Sequence, residues 1–141
     1  MSESLPIGVQ AIDHITIIVK DLEATRRFYV DFLGMDEVPR PNFDFPGLWF
    51  QCGIASIHAT LEDEFAGRAG WGDYQGAKLL SRGHHFAFLV EDVDAVINQI
   101  DEAGIEVLVE RKQRPDGAKQ IYIADPDGHV VELASTNSIS T

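Results

Sequence analysis

The stretch His84–Gly104, HHFAFLVEDVDAVINQIDEAG, is written twice in this chain. His14–Gly34 reads HITIIVKDLEATRRFYVDFLG, and placing His85 on His14, an offset of 71 residues, puts Val90 on Val19 and Asp92 on Asp21. Gly104 falls one residue short of Gly34. Each copy has an apolar, β-branched or aromatic run, which predicts a strand. An aspartate follows, suited to accept from the orphan N–H groups of a helix's first turn. Apolar residues then recur at helical spacing: Leu22, Phe28, Tyr29, Phe32 and Leu33 in one copy, Val93, Val96, Ile97, Ile100 and Ala103 in the other. A glycine able to take the left-handed conformation stops each helix.

Outward from these two units, the first strand is expected over Ala11–Val19, and the proline-rich Pro39–Pro46 as turn or edge. Leu48–Cys52 and Ala55–Leu61 form a hairpin turning at Gly53-Ile54. The second unit opens with a strand over His84–Val90. Ile105–Glu110 and Lys119–Ala124 then flank a basic Pro-Gly loop, Asp125–Gly128 is a turn, and His129–Ala134 is the last strand. The fold class is α+β: two βαβββ modules, about 11–62 and 84–134, in one domain of 141 residues. Glu62–Gly83 joins them, with five glycines plus Trp71 and Tyr74. Connectors of that length are either plain linkers or binding lids. The first ten residues and the tail from Ser135 are expected to be loose.

A net charge of −12 argues against nucleic acid or an anionic membrane as partner. The single cysteine, Cys52, has no internal disulfide partner, and no run is long and apolar enough for a signal or membrane span. The expected location is the cytoplasm.

Alternate residues of a strand share a face. One face carries His14, Thr16 and Ile18; Ser56, His58 and Thr60; His85, Ala87 and Leu89; Val130, Glu132 and Ala134. The other carries Ile15, Ile17, Val19, Ile57, Ala59, Leu61, Phe86, Phe88, Val90, Val131 and Leu133, where the helices should pack. Three histidines and a carboxylate therefore share a polar face with small neighbours. A lone strand histidine is ordinarily just half-buried and hydrogen-bonded. Glu132 in an apolar strand is costly unless paired or metal-bound, which points to a metal site of His14, His58, His85 and Glu132. His84 and His129 fall outside this pattern and read as structural or surface residues. Counted from the turn glycines, His58 is five residues on and Glu132 four, an apparent offset of one.

IDHITIIVKDLEATRRFYVDFLGM at 12–35, WFQCGIASIHATLE at 49–62, residues 84–107 and YIADPDGHVVEL at 122–133 together resemble the vicinal oxygen chelate superfamily, which holds glyoxalase I, methylmalonyl-CoA epimerase, fosfomycin- and bleomycin-resistance proteins and extradiol dioxygenases. The resemblance implies a curved open sheet around one divalent metal, Zn, Ni, Co, Mn or Fe, and a homodimer whose chains contribute to a shared site. It implies a glyoxalase I-like lyase or isomerase acting on a small oxygen-chelating substrate through an enolate or oxyanion, with Glu132 moving the proton. Two alternatives are an extradiol ring-cleavage dioxygenase using Fe(II), and a bleomycin-resistance-like binding protein without catalysis. The basic loop suggests Arg114 and Lys119 for an anionic substrate end. Tyr122 matches the substrate-contacting tyrosine of the dioxygenases.

Overall fold

The computed structural model describes residues 5–71 and 77–136. The expectations for Tyr74 and for the tail beyond Thr136 lie outside the described residues. Among those described, no helix is long and apolar enough to cross a membrane.

The chain runs β1 (Ile15–Val19), α1 (Leu22–Arg26), a π-helical continuation (Arg27–Phe32), β2 (Asp36–Val38), β3 (Gly47–Cys52) and β4 (Ala55–Leu61). The second module follows with β5 (Phe86–Leu89), α2 (Val93–Glu102), β6 (Val107–Gln113), β7 (Lys119–Ala124) and β8 (Val130–Ser135). Two four-stranded open sheets result, ordered β1-β4-β3-β2 and β5-β8-β7-β6. The opening strand of each module pairs in parallel with its last strand, β1 with β4 and β5 with β8, while the other pairs are antiparallel. The α+β class and the βαβββ duplication expected from the repeat are both present.

Both helices start as the aspartates dictate. Asp21 accepts from the N–H groups of Glu23 and Ala24 at 2.9 and 3.3 Å, and Asp92 accepts from that of Asp94 at 3.0 Å. The first helix then widens, its Leu33 N–H reaching back five residues to the Phe28 carbonyl. The consecutive rings Phe28 and Tyr29 are both buried there. Gly34 closes it at φ +84°, where a side chain would be strained.

The apolar faces sort as the alternation requires. Ile17, Val19, Ile57 and Ala59 are buried in the first module, and Phe86, Val131 and Leu133 join Val93 and Ile100 of α2 in the second. Each fully buried aliphatic or aromatic side chain contributes roughly 1.5–3 kcal/mol. The opposite faces of β1 and β4, with Thr16 and His58, are only partly covered.

The modules are tied at one corner. Tyr29 donates its hydroxyl to Asp125 Oδ2 at 2.7 Å, and the Lys20 N–H donates to Asp127 Oδ1 at 3.0 Å. Asp125 also accepts from the backbone N–H groups of Asp127 and His129, both at 2.9 Å, and from His129 Nδ1 at 2.7 Å. His129 is 2% exposed, so it is a buried structural residue and not a surface one.

Candidate metal centre

In the second module, β5 and β8 set His85 beside Glu132. His85 Nε2 lies 3.0 Å from Glu132 Oε1, and Glu132 is buried. The Gly83 carbonyl sits 2.9 Å from His85 Nδ1, and a carbonyl only accepts, so Nδ1 carries a proton. In the Nδ1–H tautomer, Nε2 turns a lone pair towards a carboxylate oxygen. Two acceptors at that distance need a proton or a cation between them. An imidazole nitrogen and a carboxylate oxygen facing one another are donors of the kind that would hold a divalent ion. Glu132 Oε2 is held by Gln120 Nε2 at 2.9 Å, and Gln120 also reaches the Tyr122 hydroxyl at 3.3 Å. Burial first, and then Glu132, pushes the Tyr122 phenol well above its usual range, so it stays protonated at neutral pH.

In the first module, His14 and His58 stack with ring centroids 4.0 Å apart, and Trp49 covers the other side of His58 at 3.9 Å and 2°. Asp13 Oδ2 lies 2.7 Å from His14 Nδ1 and accepts its proton, leaving Nε2 for another partner. An imidazole that donates one ring N–H to a carboxylate or carbonyl and offers the other nitrogen is the usual form of a metal-ligating histidine. Both His14 and His85 have it. Burial and then the neighbouring His14 lower the His58 pKa, keeping that imidazole neutral and able to donate a lone pair.

The ladders remove the one-residue offset between His58 and Glu132. His58 lies opposite Thr16 on β1, and Glu132 lies opposite Ala87 on β5. Thr16 and Ala87 are themselves related by the 71-residue repeat, so the two candidate ligands occupy equivalent places. The structure thus brings the four residues together as two pairs, one per module. No three of them have donor atoms within 4.8 Å of one another. The described residues that do are Asp125, Asp127 and His129. In that cluster both Asp125 oxygens already accept two hydrogen bonds each, and one Asp127 oxygen is taken by Lys20. The lone pairs of Asp125 are committed to joining the modules.

Of the other expected residues, Arg114 lines a cavity of about 370 Å³ with Glu132, Ala87 and Ala134, its guanidinium paired with Asp116. Lys119 points elsewhere, to Asp94 at 2.7 Å and Asp92 at 3.8 Å beside the start of α2. Tyr122 stands edge-on to His85 at 5.2 Å. Gln120 and Trp49 are additions. Gln120 precedes Tyr122 by two residues on β7 and so shares its face. Trp49 faces His58 across the Gly53-Ile54 hairpin, a pairing that follows once the turn is placed.

Residues 11–133 match the model of the Glyoxalase/Bleomycin resistance protein/Dioxygenase superfamily. The chain belongs to this family. Among its relatives, the virulence protein STM3117 of Salmonella typhimurium is 29% identical, over 94% of this chain and 88% of that one. The fosfomycin resistance protein FosX of Listeria monocytogenes is 28% identical, over 89% of each. The crystal structure of a Bacillus anthracis protein, described as glyoxalase-family, superposes with a TM-score of 0.73 at 28% identity, covering 94% of this chain and all of that one. These superfamily members carry different functions by name, so the site's own geometry has to carry the choice among activities.

Proposed function

We propose that this protein is a divalent-metal-dependent enzyme of the glyoxalase type, a lyase or isomerase acting on a small substrate with oxygens on adjacent atoms. His85 and Glu132 of one module and His14 and His58 of another would hold one ion. Each protomer offers its donors in pairs, which supports a homodimer in which facing modules complete the set. The observation that carries this reading is the His85 Nε2–Glu132 Oε1 approach with the Nδ1 proton already committed to Gly83. When bound, a divalent ion supplies Lewis-acid stabilisation of charge developing on a substrate oxygen.

The remaining steps rest on this chain's own groups. Gln120 anchors Glu132 Oε2, and Oε1, the oxygen that faces His85, would take a proton from substrate and return it to a neighbouring atom only when it is released from the ion. The Tyr122 hydroxyl, buried and held protonated beside Glu132, helps to fix that carboxylate. Arg114, already neutralised by Asp116, closes the rim of the cavity rather than presenting a free charge.

The sequence before Tyr122 favours a lyase or isomerase over a ring-cleaving dioxygenase. The dioxygenase resemblance calls for a separate acid–base histidine several residues upstream of Tyr122, and Lys112–Pro115 contains none. The test is metal analysis of protein purified without added metal, followed by assay on 2-oxoaldehyde hemithioacetals and on catechols. A non-iron or iron ion with turnover of the hemithioacetal supports the proposal. Catechol ring opening with oxygen uptake overturns it.

A further inference from the structure

A cavity of about 580 Å³ lies on the donor-bearing face of the first module. Its floor includes Ile18 and Thr60, which are cross-strand partners. The neighbouring partner pair on that face is Thr16 and His58, two residues back along the ladder, about 6.6 Å at strand spacing. The cavity therefore adjoins the proposed metal donors. We infer that it receives the remote part of the substrate, and that this part is an aromatic or other flat apolar group without negative charge. This rests on the metal-site reading above.

Three observations point to that chemistry. The walls are apolar and aromatic, from Phe45, Pro46 and Phe65. Phe65 is 89% exposed yet is not on a loose tip. Asp63 Oδ1 accepts from the Phe65 and Ala66 N–H groups at 2.8 and 2.6 Å, and the Asp63 carbonyl accepts from Gly67 at 2.9 Å. A tight turn thus holds a bare phenyl ring at the cavity mouth, where a flat ligand group would cover it. On the opposite wall, Phe45 stacks on Phe43 at 5.2 Å, Phe43 meets Trp49 at 6.2 Å, and Trp49 covers His58. A continuous row of rings leads from the cavity wall to the donors. Arg40 sits 4.7 Å above both Phe43 and Phe45, fixing them.

Charge supplies the third. Asp44 and Asp63 are the charged residues lining the cavity, and both are carboxylates. The equivalent place in the second module is built differently. There Leu89 and Ala134 stand where Ile18 and Thr60 stand here, and Arg114 with Asp116 replaces the aromatic wall. With Arg40 set over the Phe43 and Phe45 rings and not among the lining residues, the two carboxylates disfavour an anionic tail such as that of a peptide thiol, whereas a neutral or cationic ring is accommodated.

The probes are hydroxamates, whose two oxygens chelate a metal through one fixed head while the tail is varied. Cobalt-loaded protein is titrated by absorption with acetohydroxamate, benzohydroxamate, and benzohydroxamates carrying a 4-carboxylate or a 4-aminomethyl group. Benzohydroxamate should bind about tenfold more tightly than acetohydroxamate. The aminomethyl form should match it and the carboxylate form should be weaker. Phe65→Ala and, separately, Phe45→Ala should each cut the benzo-to-aceto ratio several-fold. Equal affinity of the four probes, a tightest carboxylate, or a ratio unmoved by both variants overturns the inference. Loss of binding by every hydroxamate instead sinks the metal reading. In that event metal-free protein is titrated with benzylamine and with benzoate, observing backbone amide shifts. Shifts at Ile18, Thr60 and Ala66 with benzylamine alone uphold the cavity's preference, and their absence overturns it.

Discussion

Replacing Tyr29 by Phe removes one oxygen atom and tests what joins the modules. The Tyr29 ring is wholly buried, stacked on Phe50 at 5.5 Å and edge-on to Phe28 at 4.9 Å, and a Phe ring keeps both contacts. What goes is the 2.7 Å hydrogen bond to Asp125, whose carboxylate is left buried with one donor fewer. A hydrogen bond to a charged group contributes about 1.5–3 kcal/mol, and leaving the acceptor short of a partner puts the cost at the upper part of that range. For a chain of this size each kcal/mol is about 3–4 °C, so Tm should fall by about 7–12 °C. Urea denaturation at unchanged slope and a thermal melt followed by circular dichroism give the two readings. In protein lacking the His85 and Glu132 side chains, melts with and without EDTA should coincide, because Asp125 holds protein donors rather than an ion. A Tm within a degree or two of the parent would show that the corner is not held by this bond. A Tm that drops in EDTA and recovers with added metal, in protein lacking the His85 and Glu132 side chains, would show that the Asp125 cluster is a cation site.

Two further outcomes follow from neighbouring geometry. Burial, reinforced by the Asp125 charge, pushes the Tyr29 phenol well above its ordinary value, so the unfolded chain gives up that proton first. Stability should hold below about pH 10 and decline as pH rises from there towards the folded value, with a shallower decline in Tyr29→Phe, measured by urea melts at several pH values. Asp92→Ala removes the cap that accepts from the Asp94 N–H at 3.0 Å. It should cost about 1 kcal/mol, seen as a lower urea midpoint without a change of slope; no change would mean the helix start is held by other contacts.

How much of this could be read from residues alone follows from which signals are local. β4 and β7 appear with the boundaries the apolar alternation gives, and the other two central strands, β3 and β8, lie within one residue of theirs. β1 is shorter than its apolar run suggests. It is an edge strand, and its ladder begins only where Ile15 finds Ile57 on β4, so Ala11–His14 have no strand partner among the described residues. β2 has three residues, mostly acidic, and exists because β3 offers an edge, a fact its own composition does not carry. β6 continues through Arg111–Gln113, where a basic loop is expected, because β7 pairs alongside it. That hairpin also explains Lys119, whose charge faces Asp94 from the start of β7.

The candidate ligands were legible because strand period fixes faces, and equivalent positions in a repeat reinforce one another. What sets the tautomer was only half legible. Asp13 is adjacent in sequence to His14, but the Gly83 carbonyl reaches His85 through the backbone path of a connector with little periodicity. The role of His129 needed the aspartate four residues before it to be seen as a buried acceptor. The DPDG turn signalled a bend, not a socket for Tyr29 from the other module.

The central claim is that side chains from both modules hold one divalent ion. Its most direct test is equilibrium dialysis against zinc or cobalt, with metal quantified by mass spectrometry for the parent chain and for His14→Ala, His85→Ala, Glu132→Ala and Asp125→Asn. The parent should hold one tightly bound ion per chain. Each of the first three variants should retain less than about a tenth of that at the same free metal, and folded Asp125→Asn should retain it. Metal kept by Glu132→Ala and His14→Ala but lost from Asp125→Asn would contradict the claim and move the ion to the turn between the modules.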